Sequence, residues 1–266
     1  MTRISAKGAI FGCAIATGIA GAAQANTLYT FEWDSINAGN NAAGNFESIT
    51  ASYNDMTEQF TWSVTFSDQV TDGFTLAVND GPNPKNHPGE LALLYFDASD
   101  TNDIGLTAYG YNGENDLSSF TDGDPDSPGN QTPDFIAGNQ GSSDGSWINS
   151  LSVVDFAGKR TMSFDIDASI INSHDPAFDG GDPSTVWTGL AFGEKIGFWF
   201  HSMTGLDAAY DADGKLTEWD RANEGWLDIA NRTNGISMLV VPLPPAAWAG
   251  LVGLVGVAAA RRRFGR

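Results

Sequence analysis

Apolar and polar residues alternate at a period of two through most of the chain between Asn26 and Val240. Phe60, Trp62, Val64 and Phe66 interleave with Thr61, Ser63, Thr65 and Ser67. Successive side chains of an extended strand point to opposite faces, so this pattern predicts a strand with one face in a core and one in water. Phe74, Leu76 and Val78 repeat it, and Met162, Phe164, Ile166, Ala168 and Ile170 repeat it again. In Ile196, Phe198 and Phe200 the intervening Trp199 makes the second face apolar too. The short apolar run Leu91 to Phe96 suits a central strand. Weaker patterns lie at Tyr29–Trp33, Phe46–Tyr53, Leu106–Tyr111, Trp147–Phe156 and Ile236–Val241. No segment of this region carries an apolar stripe of helical period longer than three turns.

The punctuation agrees with strands. Asp-Gly occurs at 72–73, 80–81, 122–123, 144–145, 179–180 and 213–214, and Asn-Gly at 112–113 and 234–235. Such pairs tolerate the positive φ of tight hairpins. The clearest hairpin runs from Ala208 to Trp219 around Asp213-Gly214, with Tyr210 set to pack on Leu216 or Trp219. About ten short strands without helices predict an all-β fold. The expected form is an antiparallel two-sheet sandwich, jelly-roll-like, spanning residues 26–240. Two smaller domains divided near the Asp/Gly/Ser-rich segment 112–146 are the alternative.

Charge is distributed unevenly. The 266 residues include 13 Lys and Arg against 33 Asp and Glu, a net charge of −20. Six of the basic residues sit at the two ends, leaving the middle near −26. A body so acidic repels phosphate, which speaks against a nucleic-acid partner. With 8 Trp and 16 Phe it has ample material for a core.

Residues 1–25 have the form of a secretory signal. Arg3 and Lys7 precede a small-residue apolar stretch, and Ala23-Gln24-Ala25 offers small residues around a signal-peptidase cut before Asn26. The one cysteine, Cys13, lies in this segment. The mature chain would then have no disulfide, although export permits one.

At the other end, Val241-Pro242-Leu243-Pro244-Pro245 precedes the apolar run Ala246–Ala260, followed at once by Arg261, Arg262 and Arg263. The run predicts an apolar helix slightly short of a span of about 20 residues, with the arginines holding its end on the cytoplasmic side. These three parts in order, over residues 241–266, resemble the VPLPA-CTERM class of PEP-CTERM-like sorting tails. Pro245 departs from the alanine common there; the core Val241, Pro242, Leu243 and Pro244 is intact. The resemblance implies processing near the motif by an exosortase-type membrane protease. It also implies release or transfer to the surface of a Gram-negative bacterium that makes extracellular polysaccharide. Such tails accompany unrelated bodies, so this one supplies an address and no activity.

Catalytic patterns are sparse. Gly141-Ser142-Ser143-Asp144-Gly145 matches G-x-S-x-G, but its polar surroundings lack the strand and helix of a nucleophile elbow. Glu32-Trp33-Asp34 resembles part of a glycosidase carboxylate run without a second glutamate to complete it. His87, His174 and His201 share no metal-ligand spacing. Calcium is the ion these acidic loops suit, because hard cations take several oxygens from flexible loops; plain solvation of an acidic surface is the alternative for each cluster. Asp122, Asp124 and Asp126, with Asp134 nearby, form one cluster, and Asp175, Asp179 and Asp182 around Gly180-Gly181 form a second. Asp211-Ala-Asp213-Gly214 has the centre of an EF-type loop, yet Ala209 and Asp220 occupy its ligand ends, so a hairpin turn is expected there. Tyr109, Tyr111, Trp187, Trp199, Trp219 and Trp226 are candidates for stacking on sugars, against the usual place of aromatics in a core.

These observations lead us to expect a non-catalytic, exported bacterial cell-surface or matrix protein associated with extracellular polysaccharide. A jelly-roll glycan hydrolase or lyase is one alternative. A self-associating structural or adhesion subunit is another.

Overall fold

Fourteen strands account for most of the structure, a computed structural model that describes residues 26–34, 40–82, 84, 91–111, 134–174, 187–232 and 238–240. In chain order they are β1 (Asn26–Asp34), β2 (Phe46–Asn54), β3 (Gln59–Phe66), β4 (Gly73–Asn79), β5 (Leu91–Asp97), β6 (Gly105–Tyr111) and β7 (Asp134–Ala137). The rest are β8 (Ile148–Phe156), β9 (Lys159–Asp167), β10 (Ile196–Thr204), β11 (Asp207–Tyr210), β12 (Leu216–Asp220), β13 (Asn223–Arg232) and β14 (Met238–Val240). A 3₁₀ turn at Gly145–Trp147 and one helical turn, α1 (Ser169–Asn172), are the only helical elements among the described residues. The described strands all belong to one compact unit, Asn26–Val240.

Two six-stranded antiparallel sheets form the body. The first has the order β14-β1-β2-β3-β9-β8, the second β13-β10-β4-β5-β6-β7, and β11-β12 is a separate hairpin. Strands from both sides of residues 112–133 pair in each sheet: β9 lies on β3, and β10 lies on β4.

The sheets meet face to face as a β-sandwich. Phe60, Trp62, Val64 and Phe66 of β3 are buried, as the alternation predicts, against Phe74, Phe96, Phe198 and Phe200 of the second sheet. The rings interlock across the layers. Trp62 lies 5.2 Å from Phe198 at 81°, and Phe31 lies 6.0 Å from Phe198 at 80°. Such edge-to-face pairs add to the burial itself, by about 0.5–1.5 kcal/mol each.

Two expectations need correction. The alternation that began at Met162 does not continue to Ile170: β9 ends at Asp167 and the chain turns into α1. The helical turn brings Ile171 into the core and leaves Ile170 43% exposed. Of the Asp-Gly pairs among the described residues, Asp213-Gly214 closes a tight hairpin and Asp80-Gly81 opens the connection from β4 to its antiparallel neighbour β5, while the other two do neither. Gly73 begins β4, and Asp144 caps the 3₁₀ turn by accepting from Ser146 N. The pairs at 122–123 and 179–180, and both Asn-Gly pairs, lie outside the described residues.

Candidate functional site

Sequence reasoning placed Trp199 on a second apolar face, and the second sheet does have one. Ala77, Leu91, Leu93, Tyr95, Tyr109, Trp199 and Met203 turn away from the sandwich core and form their own buried cluster. The β11-β12 hairpin lies over them, with Trp219 fully buried and Leu216 nearly so. Trp219 meets Tyr95 edge-on at 5.1 Å. Two phenols fasten the hairpin: the Tyr109 hydroxyl accepts from Leu216 N at 2.7 Å, and the Tyr210 hydroxyl donates to Asp97 Oδ2 at 3.1 Å. Burial pushes the Tyr109 phenol up to about 12, against a lesser opposing pull from its bond to Leu216 N. Burial, then the neighbouring Asp97 carboxylate, pushes Tyr210 higher still.

The G-x-S-x-G segment is a latch for this hairpin. Ser142 Oγ donates to Ala212 O at 2.5 Å and Ser143 Oγ to Asp213 O at 2.6 Å. Gly214, with φ of +79°, sits where a Cβ would fall 2.2 Å from both Gln140 O and Ser143 Oγ. Asp211 Oδ1 accepts from Asp213 N and Lys215 N, both at 2.9 Å, so this carboxylate closes the turn.

The aromatic candidates therefore separate. Tyr109, Trp199 and Trp219 are built into the second cluster. Trp187 is half-buried, donates from Nε1 to Ile171 O at 2.8 Å and touches the His174 ring. The Tyr111 side chain lies outside the description. Trp226 alone of those described stands open, 42% exposed on the outer face of β13.

Its surroundings are polar and held in place. His201 lies directly across on β10, with Glu224 and Asp228 two residues to either side on Trp226's own face. Glu224 Oε1 is bonded to His201 Nδ1, and its Oε2 accepts from Arg221 Nε at 2.6 Å. Burial alone would raise the Glu224 carboxyl; His201 and Arg221 outweigh it and hold the group below its ordinary value. Asp228 Oδ1 is enclosed with no hydrogen-bond partner among the described residues. The Trp226 backbone is clamped from outside as well, its N and O both bonded to Asn40 at 2.9 Å. Gly225 permits that approach, since a Cβ there would sit 2.5 Å from Asn40 O. An open indole beside fixed imidazole and carboxylate groups can stack on a sugar ring and bond its hydroxyls. Glu224 and Asp228 are four residues apart on this strand, about 13 Å along its backbone.

Most predicted site residues fall elsewhere. Asp122, Asp124, Asp126, Asp175, Asp179 and Asp182 lie outside the described residues, as do Val241, Pro242, Leu243, Pro244, Arg261, Arg262 and Arg263, and Ala23 and Ala25. His87 is outside too. Glu32 is exposed on β1, while Trp33 packs on the core. Among the described residues no three His, Cys, Asp or Glu are grouped to hold a metal, and no helix is long and apolar enough to cross a membrane. The Trp226 cluster as a unit was not anticipated; the His201–Trp226 pairing joins strands whose registry no local pattern reveals.

Comparison with protein families, curated proteins and solved structures finds no match to this chain.

Proposed function

We propose that this is an exported, non-catalytic protein of the bacterial cell surface or extracellular matrix, its delivered body being residues 26–240, and that it associates with polysaccharide. The observation that carries the address is the three-part tail sequence: Val241-Pro-Leu-Pro244, the apolar run 246–260, then Arg261 to Arg263. On this reading signal peptidase removes residues 1–25, the helix of 246–260 anchors the chain transiently, and an exosortase-type protease cuts near the proline motif. Early strands pair with late ones, β1 with β14 and β4 with β10, as in a wrapped ribbon. On that basis we take the sandwich to be jelly-roll-like.

The glycan reading is supported by Trp226 and the groups fixed around it. Calcium held by Asp122, Asp124 and Asp126, or by Asp175, Asp179 and Asp182, would bridge this acidic body to acidic glycan.

Mass spectrometry of the secreted and membrane fractions tests the address. The expected mature chain begins at Asn26 and ends near residues 241–244; intact termini in both fractions contradict it. A broad glycan array with millimolar calcium tests the ligand. Binding that Trp226→Ala abolishes is expected, and no binding to any glycan contradicts this part.

A further inference from the structure

Two six-stranded sheets leave four outer edges, and three of them are closed or short. β14 has three residues and β7 has four. β13 is long, but Asn40 caps its middle through the paired bonds to Trp226. β8 is different. It runs nine residues, Ile148-Asn-Ser-Leu-Ser-Val-Val-Asp-Phe156, and among the described residues only β9 pairs with it. A long edge offers unpaired N–H and C=O groups to another strand, and exposed edges are ordinarily protected by lysine, proline or shortness. β8 has none of these. Its one irregularity is confined to the start, between Ile148 and Ser150. Its side chains are unusually apolar for a rim: Val154 is 52% and Phe156 78% exposed. Leu151 and Val153 reach the sandwich core yet stay only half-buried.

We infer that β8 pairs antiparallel with β8 of a second copy of this chain, about a two-fold axis at Ser152, joining two first sheets into one. Ser152 is the midpoint of the strand, and this register pairs its regular part symmetrically, from Ser150 to Val154. Leu151 then faces Val153 and Ser150 faces Val154, and the bulge between Ile148 and Ser150 ends the regular pairing there. The strand's one charge, Asp155, lies beyond this symmetric stretch. It is already neutralised within its own chain, accepting from Arg160 Nε and Nη2 at 2.8 Å each. No like charges oppose one another at the seam, which is the condition an antiparallel pair needs. A partner would also cover Leu151 and Val153. This inference is independent of the glycan and export readings.

The full-length chain in mild detergent, with Cys13→Ala as background, tests it by disulfide trapping. Opposed residues of an antiparallel pair have Cα atoms about 4.5–5.5 Å apart, within disulfide range. Ser152→Cys should therefore trap a covalent dimer. In the same register two copies of residue 150 stand about 14 Å apart, beyond a disulfide's reach. Ser150→Cys should trap the dimer at least about tenfold more slowly, and adding Val154→Lys to Ser152→Cys should slow trapping by about tenfold. Because the bodies are both strongly acidic, added salt should speed trapping. Association through the C-terminal segment alone would trap both cysteines alike. Equal rates for the two cysteines, or indifference to Val154→Lys, overturns the inference.

Discussion

The two sheets share one core, but their outer faces are finished in opposite ways. The first presents Thr50, Ser52, Thr61, Ser63, Thr65, Thr161 and Ser163 in rows, with hydroxyls of neighbouring strands bonded to each other, as Ser52 is to Thr61 at 2.6 Å and Thr65 to Thr161 at 3.0 Å. The second presents leucine, tyrosine and tryptophan and is roofed by its own hairpin. The chain records this difference as period. β3 alternates because one face meets water, whereas every residue of β4 and β5 is buried because both faces are covered. An unbroken apolar strand thus requires a roof, and β11-β12 supplies it from more than a hundred residues downstream.

If the roof is as much core as the interior, Trp219→Ala should cost about 3–5 kcal/mol in urea unfolding, like an interior aromatic. A loss under about 1 kcal/mol would make the hairpin an ornament and break the comparison. Alkali should act on the same face. A Tyr109 phenol raised to about 12 from 10.0 contributes stability that is complete below pH 10 and is lost as pH rises through 12. Phenolate absorbance against pH should show this residue titrating late, with loosening of the hairpin; titration near 10 contradicts the burial. Tyr210→Phe removes the bond to the nearly buried Asp97 and should cost about 1–2 kcal/mol. At the tip of β8-β9, Ala157 and Gly158 have φ of +53° and +81°. Ala157→Asn creates the Asn-Gly pair this turn prefers and should gain up to about 1 kcal/mol in melting experiments. On the hydroxyl face, Ser63→Ala should change stability by no more than about 0.5 kcal/mol.

Much of the fold is legible locally. The alternation at Phe60–Phe66, the solid run at Leu91–Phe96 and the Asp213-Gly214 hairpin all reappear in the structure, because each is fixed by side-chain period or by turn chemistry. Other features required distant partners. Ile170 looked like the next strand position because alternation cannot signal a switch to a helical turn one residue earlier. The β8-β9 turn hides behind Ala157, which holds a left-handed conformation that alanine does not advertise. The site was the least legible part. Trp226 resembles five other aromatics in sequence until strand order puts three of them in the cluster between the second sheet and the hairpin, and the fixing of Glu224 by His201 and Arg221 depends on pairing between β10 and β13.

Native-state hydrogen exchange on the full chain probes the roofed sheet most directly. Amides of β12, above all Leu216 N, should open only with the global unfolding that exposes β4 and β5, at the same free energy and with the same denaturant dependence. Exchange of β12 far ahead of β4 and β5, insensitive to denaturant, would show the hairpin to be a detachable flap and contradict a second core.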